Sequence, residues 1–348
     1  MRRQRLMAAG VLVVLAAGVA LAAALTSSGS RAGHHAGTSV ASTGSASTGS
    51  TSESTPKPAP PPSAFAVGLR VLTLTDTSRS VTMADGTTEP RTLVTYVRYP
   101  AQGKVGSNDV PNAPAASAYG PYPLIVFGHG FAVTPGLYSH LLQAWARAGY
   151  VVAAPAFPLE NADAPGGPRE EDLVNQPADM SFVISSMLSA AASGSGPFAG
   201  LIDPTKVAVS GQSDGGDTAL AVAYDHRFSD SRVDAAVILS GAEIPAEGSF
   251  NFPAGGPPLL ATQGTADTVN EPSLTNTFFE AAQRPKYLLS LIGAEHLPPY
   301  TVPSPQLHIV EGVSLAFLDA YLKHKPGALA KMSAIGQIPG TATLTSEP

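Results

Sequence analysis

The chain contains no cysteine. That absence removes disulfides, a thiolate nucleophile, cysteine-ligated zinc and a lipobox-type lipid anchor, and it leaves redox state without bearing on compartment. Charge is scarce too: 13% of the 348 residues are Asp, Glu, Lys or Arg, with a formal balance of −6. The balance becomes −9 once the three positive charges of Arg2, Arg3 and Arg5 are assigned to a leader. Such a body argues against nucleic acid as a partner. What the chain does hold is 34 Gly, 32 Pro and 44% hydrophobic residues, ample for a core. A large α/β fold would take most of this length as one domain.

Arg2, Arg3 and Arg5 precede an uncharged apolar run from Leu6 to Leu25, with small residues at Ala22-Ala23-Ala24. Residues 1–25 therefore read as a signal peptide, or as an uncleaved signal anchor, since the run is long enough to span a bilayer. In both cases the arginines stay inside and the body emerges outside. The expected localisation is secreted, or anchored to the outer face of the cytoplasmic membrane. Residues 26–63 are almost wholly Ser, Thr, Gly, Ala and Pro and read as a disordered linker. His34 and His35 fall within it without acidic partners and are given no metal role.

A folded catalytic domain is expected over 64–325, with a weakly ordered tail over 326–348. Val67–Leu74 and Leu93–Tyr99 alternate as antiparallel strands, with turn chemistry from Asp76 to Gly86. Pro123–Phe127 is a solid apolar run of the kind buried on both sheet faces, and it ends at Gly128-His129-Gly130-Phe131. A helix around Trp145 and a short strand at Tyr150–Ala154 follow. Strand, helix, strand in this order implies a parallel sheet. Pro158–Pro177 reads as a loop on a pocket rim, and Asp179 as the start of a helix. Later strands are expected at Val207–Val209, Ala235–Leu239, Leu259–Thr262 and Tyr287–Ile292, with helices at Ser273–Ala282 and Gln306–Leu322.

The chemistry centres on Gly211-Gln212-Ser213-Asp214-Gly215, a G-x-S-x-G turn between a buried strand and the helix-forming Ala219–Val222. Glycines flank the serine because a tight strand-to-helix turn leaves no room for a Cβ on close neighbours. A serine hydroxyl needs an imidazole to take its proton, and the imidazole needs a carboxylate to fix its tautomer. Gly264-Thr265-Ala266-Asp267 and Gly293-Ala294-Glu295-His296 each follow a late strand. Ser213, Asp267 and His296 thus stand in the order serine, acid, histidine. Glu243 and Glu271 are alternative acids; His129, His140, His226, His308 and His324 are the other histidines weighed, and none of them tops a late strand. Oxyanion donors are expected from the backbone N–H of Asp214 and of Phe131, with Gly130 and Phe131 also touching substrate and His129 shaping the loop. The Asp214 side chain is expected to point away from the oxyanion.

From about Phe65 to Leu322 the chain resembles the α/β-hydrolase superfamily. The residues carrying this are Val67-Gly68-Leu69-Arg70 with Thr77-Ser78-Arg79, Phe127–Phe131, the serine turn, Gly264–Asp267 and Glu295-His296. Within the superfamily it is similar to dienelactone hydrolase-like and platelet-activating-factor-acetylhydrolase-like proteins, and more loosely to cutinase-type polyesterases. The resemblance implies an α/β-hydrolase fold, a mostly parallel central sheet flanked by helices with antiparallel N-terminal strands. It also implies a serine esterase with no cofactor and no metal, acting on a small-molecule or lipid-like ester. Dienelactone hydrolases proper use a cysteine, which this chain lacks, and the polyesterases carry a tryptophan where it has Ser240-Gly241. The alternatives are a lipase or cutinase-like polyesterase, and a non-catalytic surface binding module on the same fold.

Overall fold

A computed structural model of the chain describes residues 62–244 and 250–348. The expected leader, almost all of the linker with His34 and His35, and part of the Gly241–Pro258 loop lie outside the described residues.

The chain enters through β1 (Ala66–Thr82) and β2 (Thr88–Ala101), an antiparallel pair. The turn expected from Asp76 onward comes later, between Thr82 and Thr88. At Asp76 the strand bulges instead of turning, with a register shift between Asp76 and Ser80. The Asp76 carboxylate accepts from Ser78 N–H at 2.9 Å and from Arg79 Nε at 2.6 Å, so its turn chemistry is spent within the bulge.

After β3 (Val110–Pro111) come β4 (Tyr122–Gly128), α1 (Ser139–Arg147), β5 (Val151–Ala156) and α2 (Gln176–Ala192). Next are β6 (Ile202–Gln212), α3 (Asp214–Tyr224), β7 (Val233–Leu239), β8 (Leu259–Gly264), α4 (Pro272–Ala281) and β9 (Lys286–Leu291). The chain ends with α5 (Pro298–Thr301), α6 (Pro305–Tyr321), α7 (Ala328–Gly336) and β10 (Ala342–Glu347). Among the described residues the sheet has ten strands, in the order β10-β9-β8-β7-β6-β4-β5-β2-β1-β3. Strands β5, β4, β6, β7, β8 and β9 are parallel, and β2 and β10 flank them antiparallel.

Period-two alternation splits the parallel strands between two cores. Along β4, Leu124 and Val126 join a cluster containing Met180, Val183 and Ile184 of α2, with Ala219 and Leu220 of α3. Ile125 and Phe127 join the opposite cluster, with Leu141 and Trp145 of α1 and Val310, Val313 and Phe317 of α6. That explains the unbroken apolar run: every position faces a covered side, and each such side chain contributes about 1.5–3 kcal/mol. Trp145 carries its one polar atom to Ser314 Oγ at 2.9 Å, joining α1 to α6.

The stretch after Lys325, expected to be weakly ordered, is part of the fold. Met332 of α7 is fully buried, and β10 pairs with β9 from Ala342↔Leu291 to Glu347↔Lys286. Ala342 and Leu344 turn inward while Thr343 and Thr345 stay exposed, a short alternation hidden among turn-forming residues.

Candidate active site

Ser213 sits between β6 and α3 with φ 55° and ψ −127°, a backbone conformation that non-glycine residues adopt at a cost of order 1–3 kcal/mol. Its N–H donates to Leu239 O at 3.0 Å, and its own carbonyl accepts from Asp217 N–H at 2.9 Å. A Cβ on Gly211 would overlap the Gly215 carbonyl, and one on Gly215 would overlap the carbonyl of Gly128. The two motif glycines therefore let the turn close on itself and press against the end of β4. The N-terminus of α3 points at the site, where its dipole favours negative charge.

Asp267 follows β8 and His296 follows β9, and the two loops are zipped together. Thr265 N–H donates to Leu291 O at 2.9 Å, Ala266 N–H to Ala294 O at 3.0 Å and Gly293 N–H to Thr265 Oγ1 at 2.8 Å. Gly264 makes the approach possible, because a Cβ there would collide with the Ala294 carbonyl. The result is a short relay: Asp267 Oδ2 lies 2.7 Å from His296 Nδ1, and His296 Nε2 lies 2.9 Å from Ser213 Oγ. Asp267 also accepts from Val269 N–H at 2.9 Å and Asn270 N–H at 3.0 Å. Burial pushes the Asp267 carboxyl upward, but its hydrogen bond and attraction to His296, helped by the Val269 N–H and the Ser240 side chain, hold it below the usual carboxylate range. An ionised Asp267 can only accept, so Nδ1 carries the ring proton and Nε2 presents its lone pair to the Ser213 hydroxyl.

Two side chains that the motifs do not reveal brace this relay. Gln212 Nε2 lies 3.2 Å from both His296 Nε2 and the His296 carbonyl, while Gln212 Oε1 accepts from Tyr138 Oη at 2.7 Å. Tyr138 Oη in turn accepts from Gly130 N–H at 3.2 Å. The Gly130 amide is thereby engaged, and Phe131 follows it in the loop. Gln212 occupies a variable place in the serine motif and Tyr138 lies outside any motif, so neither carried a sequence signal.

His129 is fully buried and shapes the loop. Its Nδ1 is 2.8 Å from Gly130 O, and its Nε2 accepts from Phe157 N–H at 3.0 Å. Burial pushes its pKa down to about 4, leaving it neutral. Among the other histidines, His140 and His308 lie near Glu311, and His226 is exposed beside Asp225. Of the acids considered, Asp267 is the one that hydrogen-bonds His296; Glu271 stands at the N-cap position of α4, where its side chain makes no capping hydrogen bond. The Pro158–Pro177 loop is tied down at both ends. Ala132 N–H donates to Glu160 O at 2.9 Å, and the buried Arg91 guanidinium binds Asp172 at 2.7 Å and Asp179 at 2.6 Å. Among the described residues, no group of three or more His, Asp or Glu is placed to hold a metal ion.

Strand order, helix placement and the serine turn together define an α/β-hydrolase fold. The family model described as Chlorophyllase, an α/β-hydrolase-type esterase family, matches residues 111–264. That span includes the Gly128–Phe131 loop and the Ser213 turn, and it ends before Asp267 and His296. Over this part, the chain is similar to a family of ester hydrolases. Comparison with curated proteins finds no match.

Proposed function

We propose that the chain is an exported serine hydrolase that cleaves carboxylic esters through an acyl-serine intermediate. Ser213 Oγ attacks the ester carbonyl as His296 Nε2 takes its proton, and Asp267 steadies the imidazolium and holds the ring in register. The carbonyl oxygen, now negative, is received by the N–H groups of Asp214 and Phe131, each worth a few kcal/mol in such a setting. His296 then protonates the departing alcohol. A water molecule, deprotonated by the same nitrogen, releases the acid and restores Ser213.

The observation that carries this reading is the relay, with 2.7 Å from Asp267 Oδ2 to His296 Nδ1 and 2.9 Å from His296 Nε2 to Ser213 Oγ. Export rests on Arg2, Arg3 and Arg5 ahead of the Leu6–Leu25 run. The test is a series of p-nitrophenyl esters of rising chain length, with wild type and Ser213→Ala. Turnover should vanish in Ser213→Ala while the fold persists. A lipase or polyesterase would show wide ester chain-length tolerance and turnover at an interface. A binding module would show no turnover and no labelling of Ser213 by a fluorophosphonate.

A further inference from the structure

Glu160 is a charged residue type with no exposure at all, lodged in the loop after β5. Among the described residues, no hydrogen-bond donor reaches either of its carboxyl oxygens. The group it faces is another carboxyl, that of Asp214, itself 6% exposed and first in α3. Two buried carboxylates side by side cannot both ionise, so one keeps a proton. Burial first, and the Asp214 charge second, push Glu160 up to about 11, with smaller pushes from Asp172 and Glu170. Tyr138 also lies near Asp214, and Arg91 of β2 neutralises Asp172. A protonated Glu160 has one O–H to give, and Asp214 is the acceptor it faces.

The same residue acts through its backbone. Its carbonyl accepts from Ala132 N–H at 2.9 Å, next to Phe131, where Ala132 is held at φ 55°. Its own N–H is 3.3 Å from Phe157 O, and Phe157 N–H in turn donates to His129. Glu160 thereby touches both chain segments that the proposed function assigns to the oxyanion.

We propose that Glu160 is a positioning residue that ties together the two arms of the oxyanion hole, donating its carboxyl O–H to the Asp214 carboxylate while its carbonyl holds Ala132. This rests on the serine-hydrolase reading for its catalytic consequence, but not for the existence of the acid pair. The O–H bond turns the Asp214 charge toward Glu160 and away from the developing oxyanion, and it fixes the first turn of α3 from which the Asp214 N–H projects.

The test uses Glu160→Gln and Glu160→Leu in the full chain. Glu160→Gln keeps a donor facing Asp214; Glu160→Leu removes that one donor. Glu160→Leu should lose about 10²-fold in kcat with KM little changed, the size of a lost oxyanion donor, and Glu160→Gln should recover to within about threefold of wild type. Infrared difference spectra near neutral pH, wild type minus Glu160→Gln, should show the carbonyl stretch of a protonated carboxylic acid. No such band would overturn the pair. Equal kcat in all three proteins, or equal loss in both folded variants, would overturn the positioning role. If Glu160→Leu fails to fold, the infrared band and the kcat of Glu160→Gln decide. If wild type turns over no ester, the serine-hydrolase reading fails while the band still reports on the pair.

Discussion

The two sides of the Ser213 turn are built by different means. On the side of Asp267 and His296, the loops after β8 and β9 are zipped by backbone hydrogen bonds and closed by Gly264. On the other side, the loops after β4 and β5 also share backbone hydrogen bonds, Ala132 N–H to Glu160 O at 2.9 Å and Ala162 N–H to Val133 O at 3.1 Å, but they add a chain of buried polar side chains, His129, Tyr138 and Gln212. A backbone-built loop tolerates any side chain that fits and demands glycine where chains touch. A side-chain network demands specific groups and specific protonation states.

The strongest challenge to that contrast is Asp267→Asn. The Asp267 and His296 side should lose about 10⁴-fold in kcat through the wrong tautomer, with the fold intact, as measured with a p-nitrophenyl ester and by circular dichroism. A loss under tenfold would mean that the relay is not the working unit. Gly264→Ala comes next. The added Cβ meets the Ala294 carbonyl, so the loops must part, at a cost of about 1–3 kcal/mol in urea unfolding along with lost activity. Gln212→Met probes the other side. It removes the contacts to Tyr138 and His296 while keeping volume, and kcat should fall about tenfold, near 1.4 kcal/mol, with stability less affected.

The smallest effect, taken per pH unit, is the pH dependence of stability, where two buried groups in the loops after β4 and β5 act in opposite directions. His129 is held down to about 4 in the fold against an ordinary 6.5, so the unfolded chain binds more protons and stability is lost as pH falls from 6.5 toward 4. Glu160 is held up to about 11 against 4.5, so the folded chain keeps a proton that the unfolded chain releases. Its contribution therefore weakens the fold as pH rises above 4.5. Above pH 6.5, wild type should lose stability relative to Glu160→Gln by at most about 1.4 kcal/mol per pH unit, read from urea midpoints. Parallel pH profiles would show that Glu160 ionises in the fold.

The same contrast governs what the sequence disclosed. Gly211, Gly215, Gly264, Asp267 and His296 are tied to strand ends by close backbone approach, and close approach leaves glycines at fixed offsets. Alternation along β4 and the strand–helix rhythm likewise announced the parallel sheet. Tyr138, Gln212 and Glu160 lie far apart in the chain and meet only after folding, so no spacing marks them. Glu160 sits among Phe157, Pro158 and Leu159, where an acid reads as a loop residue until its burial is known. Bulged β1 and the β10 pairing were masked by turn-forming residues whose chemistry is used inside a strand or just before one.

The pairing of β10 with β9 bears on how the chain can be handled. The strand that leads into the His296 loop is covered along its outer side by residues 342–347. Trimming them would bare a row of backbone N–H and C=O groups on an apolar strand, a template for sticking to a second molecule. Shortened versions should precipitate before they unfold.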